Sequence, residues 1–337
     1  METPLKMKFI NISILTAILT ACSNTTAVSS AEVAEPEKVV TEKSWPRFNA
    51  DSAYRYVAEQ VAIGPRVPGT ASHIRCRDYI AGKMNRFGAD TVFFQSAQVT
   101  AFNGKKLPMH NIMARFNTQA STRILIAAHY DTRPWADEDP NKSNHNKAID
   151  GANDGASGVG VALELARCIG SSHPEIGVDF LMTDVEDYGT STDETSGEIS
   201  WALGAQYFAK NSLYTPTERP IYGILLDMVG GRSARFYREY FSEQAAPWVN
   251  SKVWQAARTE GITRFINESR GAVTDDHLFI TQAGIPCIDI IECSHPQTGT
   301  FAPTWHTMAD NLESIDSATL GDVGRTLMRV IYTEKTQ

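Results

Sequence analysis

The sequence predicts an α/β fold: a mixed central β-sheet flanked by helices on both faces, with the site at the carboxyl ends of the strands. Three observations point to it. Short apolar runs recur between polar residues, as buried strands do: Ile124-Leu-Ile-Ala-Ala, Val178-Asp-Phe-Leu-Met, Ile221-Tyr-Gly-Ile-Leu-Leu and Ile285-Pro-Cys-Ile-Asp-Ile-Ile. Helix-length segments alternate with them, the order of a sheet sandwiched between helices. The first three runs lead into His129 and Asp131, into Asp184, Glu186 and Asp187, and into Asp227. That edge is where ligands of open α/β sheets bind.

Met1 to Ala21 stands outside this fold. Lys6 and Lys8 precede an apolar segment from Phe9 to Ala21, too short to span a bilayer and suited to a secretory signal. Leu19-Thr20-Ala21-Cys22 resembles a bacterial lipoprotein processing site. Residues 1–22 are then a signal peptide ending in a lipidated Cys22, and the chain is exported to the periplasm; a free cysteine after an ordinary cleavage site is the other reading. Ser23 is compatible with the outer membrane. Residues 23–44, rich in Ser, Thr, Ala, Val and Glu without a period, read as a flexible tether. Residues 45–337 suffice for one large catalytic α/β domain with a substantial core.

Within that domain Asp51 and Thr70 are the expected N-caps of two amphipathic helices. Gly64-Pro-Arg-Val-Pro-Gly69 joins them, and the second ends near Gly88. Strands are expected near 91–100, 110–117, 123–128, 177–184, 221–228 and 285–291, and helices over 157–169, 201–211, 243–260 and 316–332. The net charge of −8, without a basic cluster, argues against a nucleic-acid partner. Cys76, Cys168, Cys287 and Cys293 have no metal-binding spacing. Disulfides are permitted in an exported chain, but no pairing follows from the sequence.

The chemistry is densest between Ile124 and Ala166. His129, Asp131 and the Asp154 of Gly151-Ala-Asn-Asp154-Gly155-Ala-Ser-Gly158-Val-Gly160 suit a divalent metal such as zinc. Equally, His-x-Asp could close a strand and Asp154 cap the helix. Glu186 and Asp187 are neighbours on a turning backbone and point different ways, so one can hold a metal while the other faces substrate as a base. A solvated acidic strand end is the alternative. Asp227 is a third carboxylate at a strand terminus, where burial costs several kcal/mol unless compensated. Thr274-Asp275-Asp276-His277 is an acidic cluster, or the cap of a short helix through Ile280. Trp305-His306 follows the last strand, as a structural pair or as one more ligand.

Together these residues resemble the zinc aminopeptidase superfamily with cocatalytic metals. Trp305-His306-Thr307, Asp275-Asp276-His277 and Leu226-Asp227-Met228 are more similar to its single-zinc branch, the glutaminyl cyclases, which make N-terminal pyroglutamate. Arg133-Pro-Trp135-Ala-Asp, Glu186-Asp187 in place of Glu-Glu, and Ser200-Trp201-Ala-Leu-Gly204 look like the bacterial type found in Bacteroidetes and relatives. The resemblance runs from Gly64 to the last helix.

It implies a zinc aminopeptidase-like fold and one zinc per chain, held by Asp154, Asp187 and His306. Glu186 would be the acid/base, with Asp227 and Asp275 in the hydrogen-bond network that orients it. Trp305, Phe301 and Trp201 would line the substrate pocket. Asp187 stands where the animal enzymes carry Glu; it is shorter but still an oxygen ligand. His129 and Asp131 match positions around the second metal of two-metal relatives. The implied reaction cyclises the N-terminal glutamine of peptides or proteins and releases ammonia. A two-metal aminopeptidase drawing on His129, Asp154, Asp187, Asp227 and His306 is the alternative; against a non-catalytic peptide-binding lipoprotein stands the presence of Glu186. The implied partners are such peptides and, through Cys22, a membrane, with the chain a monomer. The insert from Arg133 to Asp150 is expected to shape the pocket entrance.

Overall fold

The computed structural model describes residues 45–190 and 199–336. The signal peptide, Cys22 and the tether lie outside the described residues. Helix α1 (Ala50–Ile63) begins at Asn49, whose side chain accepts the Ser52 N–H at 2.8 Å. The cap is therefore Asn49 and not the expected Asp51, which places its charge in the first turn, where the helix dipole favours it. Helix α2 (Ala71–Arg86) is capped by Thr70, as expected.

Six strands make the main sheet in the order β1 (Thr91–Thr100), β2 (Lys106–Phe116), β4 (Gly177–Thr183), β3 (Arg123–His129), β5 (Gly223–Leu226) and β8 (Cys287–Ile290). The pairs β1–β2 and β2–β4 are antiparallel; β4, β3, β5 and β8 run parallel. Four carboxyl ends therefore share one edge. Strand β3 is buried on both faces: Ile124, Ile126 and Ala128 pack in one core cluster, Leu125 and Ala127 in another, the period-two alternation of an extended chain. The first cluster is completed by α1, α3 (Ala156–Ser171) and α8 (Ser317–Thr333), the second by α4 (Leu203–Lys210) and α7 (Asp276–Gln282).

Two features depart from expectation. The helix expected over 243–260 is two, α5 (Tyr240–Ala245) and α6 (Pro247–Thr259), because Pro247 lacks the N–H a continuous helix needs and instead starts the second at its first position. A separate two-stranded sheet, β6 (Phe236–Arg238) with β7 (Phe265–Ser269), was not expected; its strands are too short to announce a period. Helix α3 lies close on the sheet because Gly158 has no side chain: a Cβ there would sit 2.1 Å from the Leu226 carbonyl oxygen. Cys76, Cys168, Cys287 and Cys293 are buried, unpaired thiols. No helix among the described residues is long and apolar enough to cross a membrane.

Candidate active site

Each strand of the parallel edge ends in a residue that turns the chain toward one point. Strand β3 ends at His129. After β4, Val185 adopts a left-handed backbone (φ 53°) and presents Glu186 and Asp187; after β5, Asp227 is followed by Met228 at φ 47°. His306, in the loop beyond β8, has φ 54°. Such a backbone costs an L-residue about 1–3 kcal/mol and persists where the surroundings impose it. Asp154 comes from the turn before α3. It is not the cap of that helix: the N-cap is Gly155, without a side-chain hydrogen bond, which leaves the Asp154 carboxylate to the site. A Cβ on Gly155 would lie 2.4 Å from His129 Nε2, so only glycine fits there.

Asp154, Asp187 and His306 converge. His306 Nε2 lies 3.2 Å from Asp187 Oδ1 and 3.7 Å from Asp154 Oδ2, and the side chains are buried. Asp187 Oδ2 and His306 Nδ1 are buried without a hydrogen-bond partner. Two carboxylates and one imidazole facing a cavity fit one zinc ion, with the open coordination position of a catalytic site. The His306 ring lies between Trp305, at 3.6 Å and 22°, and Trp201, at 6.0 Å and 24°.

Buried carboxylates and one arginine hold the ligand-bearing turns. Asp131 accepts the N–H groups of Glu186 (3.0 Å) and Asp187 (3.1 Å). Asp310 does the same for Asn153 (2.8 Å) and Asp154 (3.1 Å). Burial and the nearby Asp154 charge push the Asp310 carboxyl up to about 8 against the pull of those donors. Fully buried Arg66 donates to the carbonyls of Tyr130, Asp150 and Gly151. Sequence reasoning gave no role to Asp310 or Arg66. Both act on backbone groups remote in the chain, and the only available signal was an arginine inside the Gly-Pro-rich connection.

A second triad shares Asp154. His129 Nε2 is 2.9 Å from Asp154 Oδ1 and 3.1 Å from Asp227 Oδ1. Asp227, Glu186 and Asp275 line one cavity of about 360 Å³ together with Trp201, Phe301 and Trp305. Phe301 and Trp305 pack at 4.7 Å. Burial lifts Glu186 well above the carboxylate range; His129 opposes this, and the charges of Asp275, Asp187 and Asp276 add to it. Burial also brings Asp227 to about 7, against its hydrogen bond with His129 and with the Asp275 charge adding. Asp275 is both cap and site residue: one oxygen accepts the Asp276 N–H at the start of α7, and Oδ2 is buried without a partner. Behind it, His277 lies 3.3 Å from Glu239. Burial alone would raise Glu239, but His277 and the N–H groups of Ser242 and Phe241 hold it at about 2. The insert from Arg133 to Asp150 does not border the cavity as expected, because its first turn packs behind the metal-facing residues instead.

A parallel-edged sheet delivering a buried His/Asp/Asp group that fits a metal, with a raised carboxyl beside it, defines the class: the chain belongs to peptidase family M28, whose profile matches residues 111–331. The structure is similar to that of Bacteroides thetaiotaomicron glutaminyl cyclase bound to N-acetylhistamine, at 47% identity over 87% of this chain and 100% of that one, with a TM-score of 0.82. A structure from the same species described as a leucine aminopeptidase precursor is similar at 46% identity over 87% of this chain and 99% of that one, TM-score 0.81. In sequence the chain is similar to glutaminyl-peptide cyclotransferase of Bos taurus, 23% identical over 82% of this chain and 83% of that one.

Proposed function

We propose that this protein converts the N-terminal glutamine of peptides and proteins to pyroglutamate and releases ammonia. The observation that carries the reading is Glu186, a carboxyl group held well above its ordinary range beside a three-ligand metal group in an aromatic-walled cavity. Asp154, Asp187 and His306 would hold a zinc ion, which would supply Lewis acidity toward the γ-carboxamide carbonyl. The substrate's own α-amine attacks the amide carbon, so no enzyme nucleophile is needed. Glu186 takes the proton from the attacking amine and delivers it to the departing nitrogen, which leaves as ammonia. Glu186 ends in the form in which it began. Asp227 and Asp275, on the same cavity, orient it. Water takes no part, so Trp201, Phe301 and Trp305 favour cyclisation over hydrolysis by keeping it out.

The triad His129, Asp154 and Asp227 favours a second reading, a two-metal aminopeptidase. Mass spectrometry of a glutamine-initiated and an alanine-initiated peptide, with zinc determined on the same sample, separates the two. The expected result is loss of ammonia from the first, no cleavage of the second and about one zinc per chain. Release of the terminal residue with about two metals bound would establish the aminopeptidase instead.

We further propose, from the basic residues and apolar segment before Cys22, that the chain is exported and lipid-anchored there. Metabolic labelling with a radioactive fatty acid should mark the parent chain and not Cys22→Ser; equal labelling of both would refute the anchor.

A further inference from the structure

The insert after β3 contains an ion pair that touches both sides of the metal group. Arg133 is 4% exposed. Its Nε and Nη2 grip the Asp137 carboxylate at 2.7 and 2.5 Å. Its Nη1 donates to the carbonyls of Asp187 and Gly189, both at 3.2 Å, and lies 3.5 Å from Asp187 Oδ1. Asp137 Oδ1 in turn faces His306 Nδ1 at 3.7 Å, the ring nitrogen turned away from Asp154 and Asp187. The next two residues continue the grip on that turn: Glu138 donates its N–H to the His306 carbonyl at 3.2 Å, and Asp139 accepts the Met308 N–H at 2.9 Å. The guanidinium also lies 4.9 Å from the Trp201 ring, which stacks on His306.

These contacts join two turns far apart in sequence, one carrying Asp187 and one carrying His306. A planar guanidinium can hold a carboxylate through one edge and backbone carbonyls through the remaining nitrogen; an ammonium has no such fork. The pair is nearly neutral as a unit, so it adds no net charge beside the ligands. At 3.7 Å Asp137 is beyond hydrogen-bond reach of His306 Nδ1, so it acts on the ring through its charge, while the Glu138 and Asp139 bonds to the same turn hold the backbone that carries the ring.

We propose that Arg133 and Asp137 are positioning residues that set the metal affinity of this site by fixing Asp187 and His306 relative to each other. The inference rests on Asp187 and His306 being metal ligands. It gives the length of the insert a reason: the chain must travel from the end of β3 across to the His306 turn and back to Asp154.

The test measures zinc affinity of the full chain by competition with a chromophoric chelator, for the parent, Arg133→Lys and Asp137→Asn. The thermal midpoint of each zinc-free form is recorded alongside. Each variant is expected to bind zinc about 10–100-fold more weakly, as lost outer partners of metal ligands typically cause, with the zinc-free midpoints unchanged within a few degrees. Asp137 is 40% exposed, so Asp137→Asn carries the test should Arg133→Lys misfold. Affinities within about threefold of the parent would overturn the proposal. So would zinc-free forms destabilised in step with the lost affinity, which would assign the pair to the fold. His306→Ala separates this failure from that of the underlying reading. If it keeps zinc, the ligand assignment is wrong; if it loses zinc while the two variants keep theirs, only the role of Arg133 and Asp137 is wrong.

Discussion

Glu186→Gln is expected to lower turnover of a glutamine-initiated peptide by about 10²–10⁴-fold, the usual worth of a positioned acid/base, with zinc still bound. The substitution keeps the shape and removes the ability to carry a proton. The metal-facing residues are undisturbed, since Asp131 holds Glu186 and Asp187 through their backbone N–H groups and not through the Glu186 side chain. The loss should fall on kcat, because the proton moves only in the transition state. On the proposed mechanism Glu186 accepts the amine proton and so must be deprotonated, and its carboxyl is raised by burial. Activity should therefore fall as pH drops through that raised value, and Glu186→Gln should lose this limb. Steady-state kinetics across pH, with metal analysis of each preparation, make the check. Near-parental turnover with zinc bound would remove Glu186 from the mechanism.

Asp154→Ala should abolish both zinc binding and activity, whereas Asp227→Asn should keep zinc. The reasoning lies in the shared position of Asp154, whose two oxygens face different triads: Oδ1 toward His129 and Oδ2 toward His306. Its truncation takes a ligand from either arrangement. Asp227 belongs only to the triad with His129, so its amide variant leaves Asp154, Asp187 and His306 whole. Metal content after exhaustive dialysis reads the outcome. In a two-metal hydrolase Asp227→Asn would instead lower the count from about two to about one, and that result would also defeat the cyclase reading. Against burial, His129, His306 and Arg133 hold the Asp154 carboxyl below its ordinary value, so its charge stabilises the fold at neutral pH; Asp154→Ala should also lower the thermal midpoint, which is recorded beside the metal content.

The sequence made the parallel edge legible because burial on both faces turns β3, β4, β5 and β8 into nearly unbroken apolar runs, against which each terminal carboxylate stands out. Short-range chemistry was legible as well: Thr70 caps α2, and the turn before α3 needs glycine at 155. What escaped was long-range or local by a single residue. Asn49 and Asp51 are both good caps, and the first is the one tied to the rest of the fold, its N–H donating to Glu164 of α3 at 3.0 Å, a contact the sequence does not display. Asp310 and Arg66 work on backbone groups whose neighbourhood exists only after folding. The insert looked like a rim because polar loops usually are; its contacts with the His306 turn lie about 170 positions away in the chain.

The match to the M28 profile begins at residue 111, inside β2, yet the turn that carries Asp154 is held by an arginine from before that point. Helix α3 leans on the same forward part, where a Cβ on Gly160 would meet Val57 at 2.7 Å and leave α1 no room. The boundary by which the family is recognised is thus not a line along which the molecule can be dissected. Removing α1 and α2 would strip a guanidinium from beneath the Asp154 turn and bare an apolar helix face. Residues 111–331 are a signature of ancestry and not an excisable module.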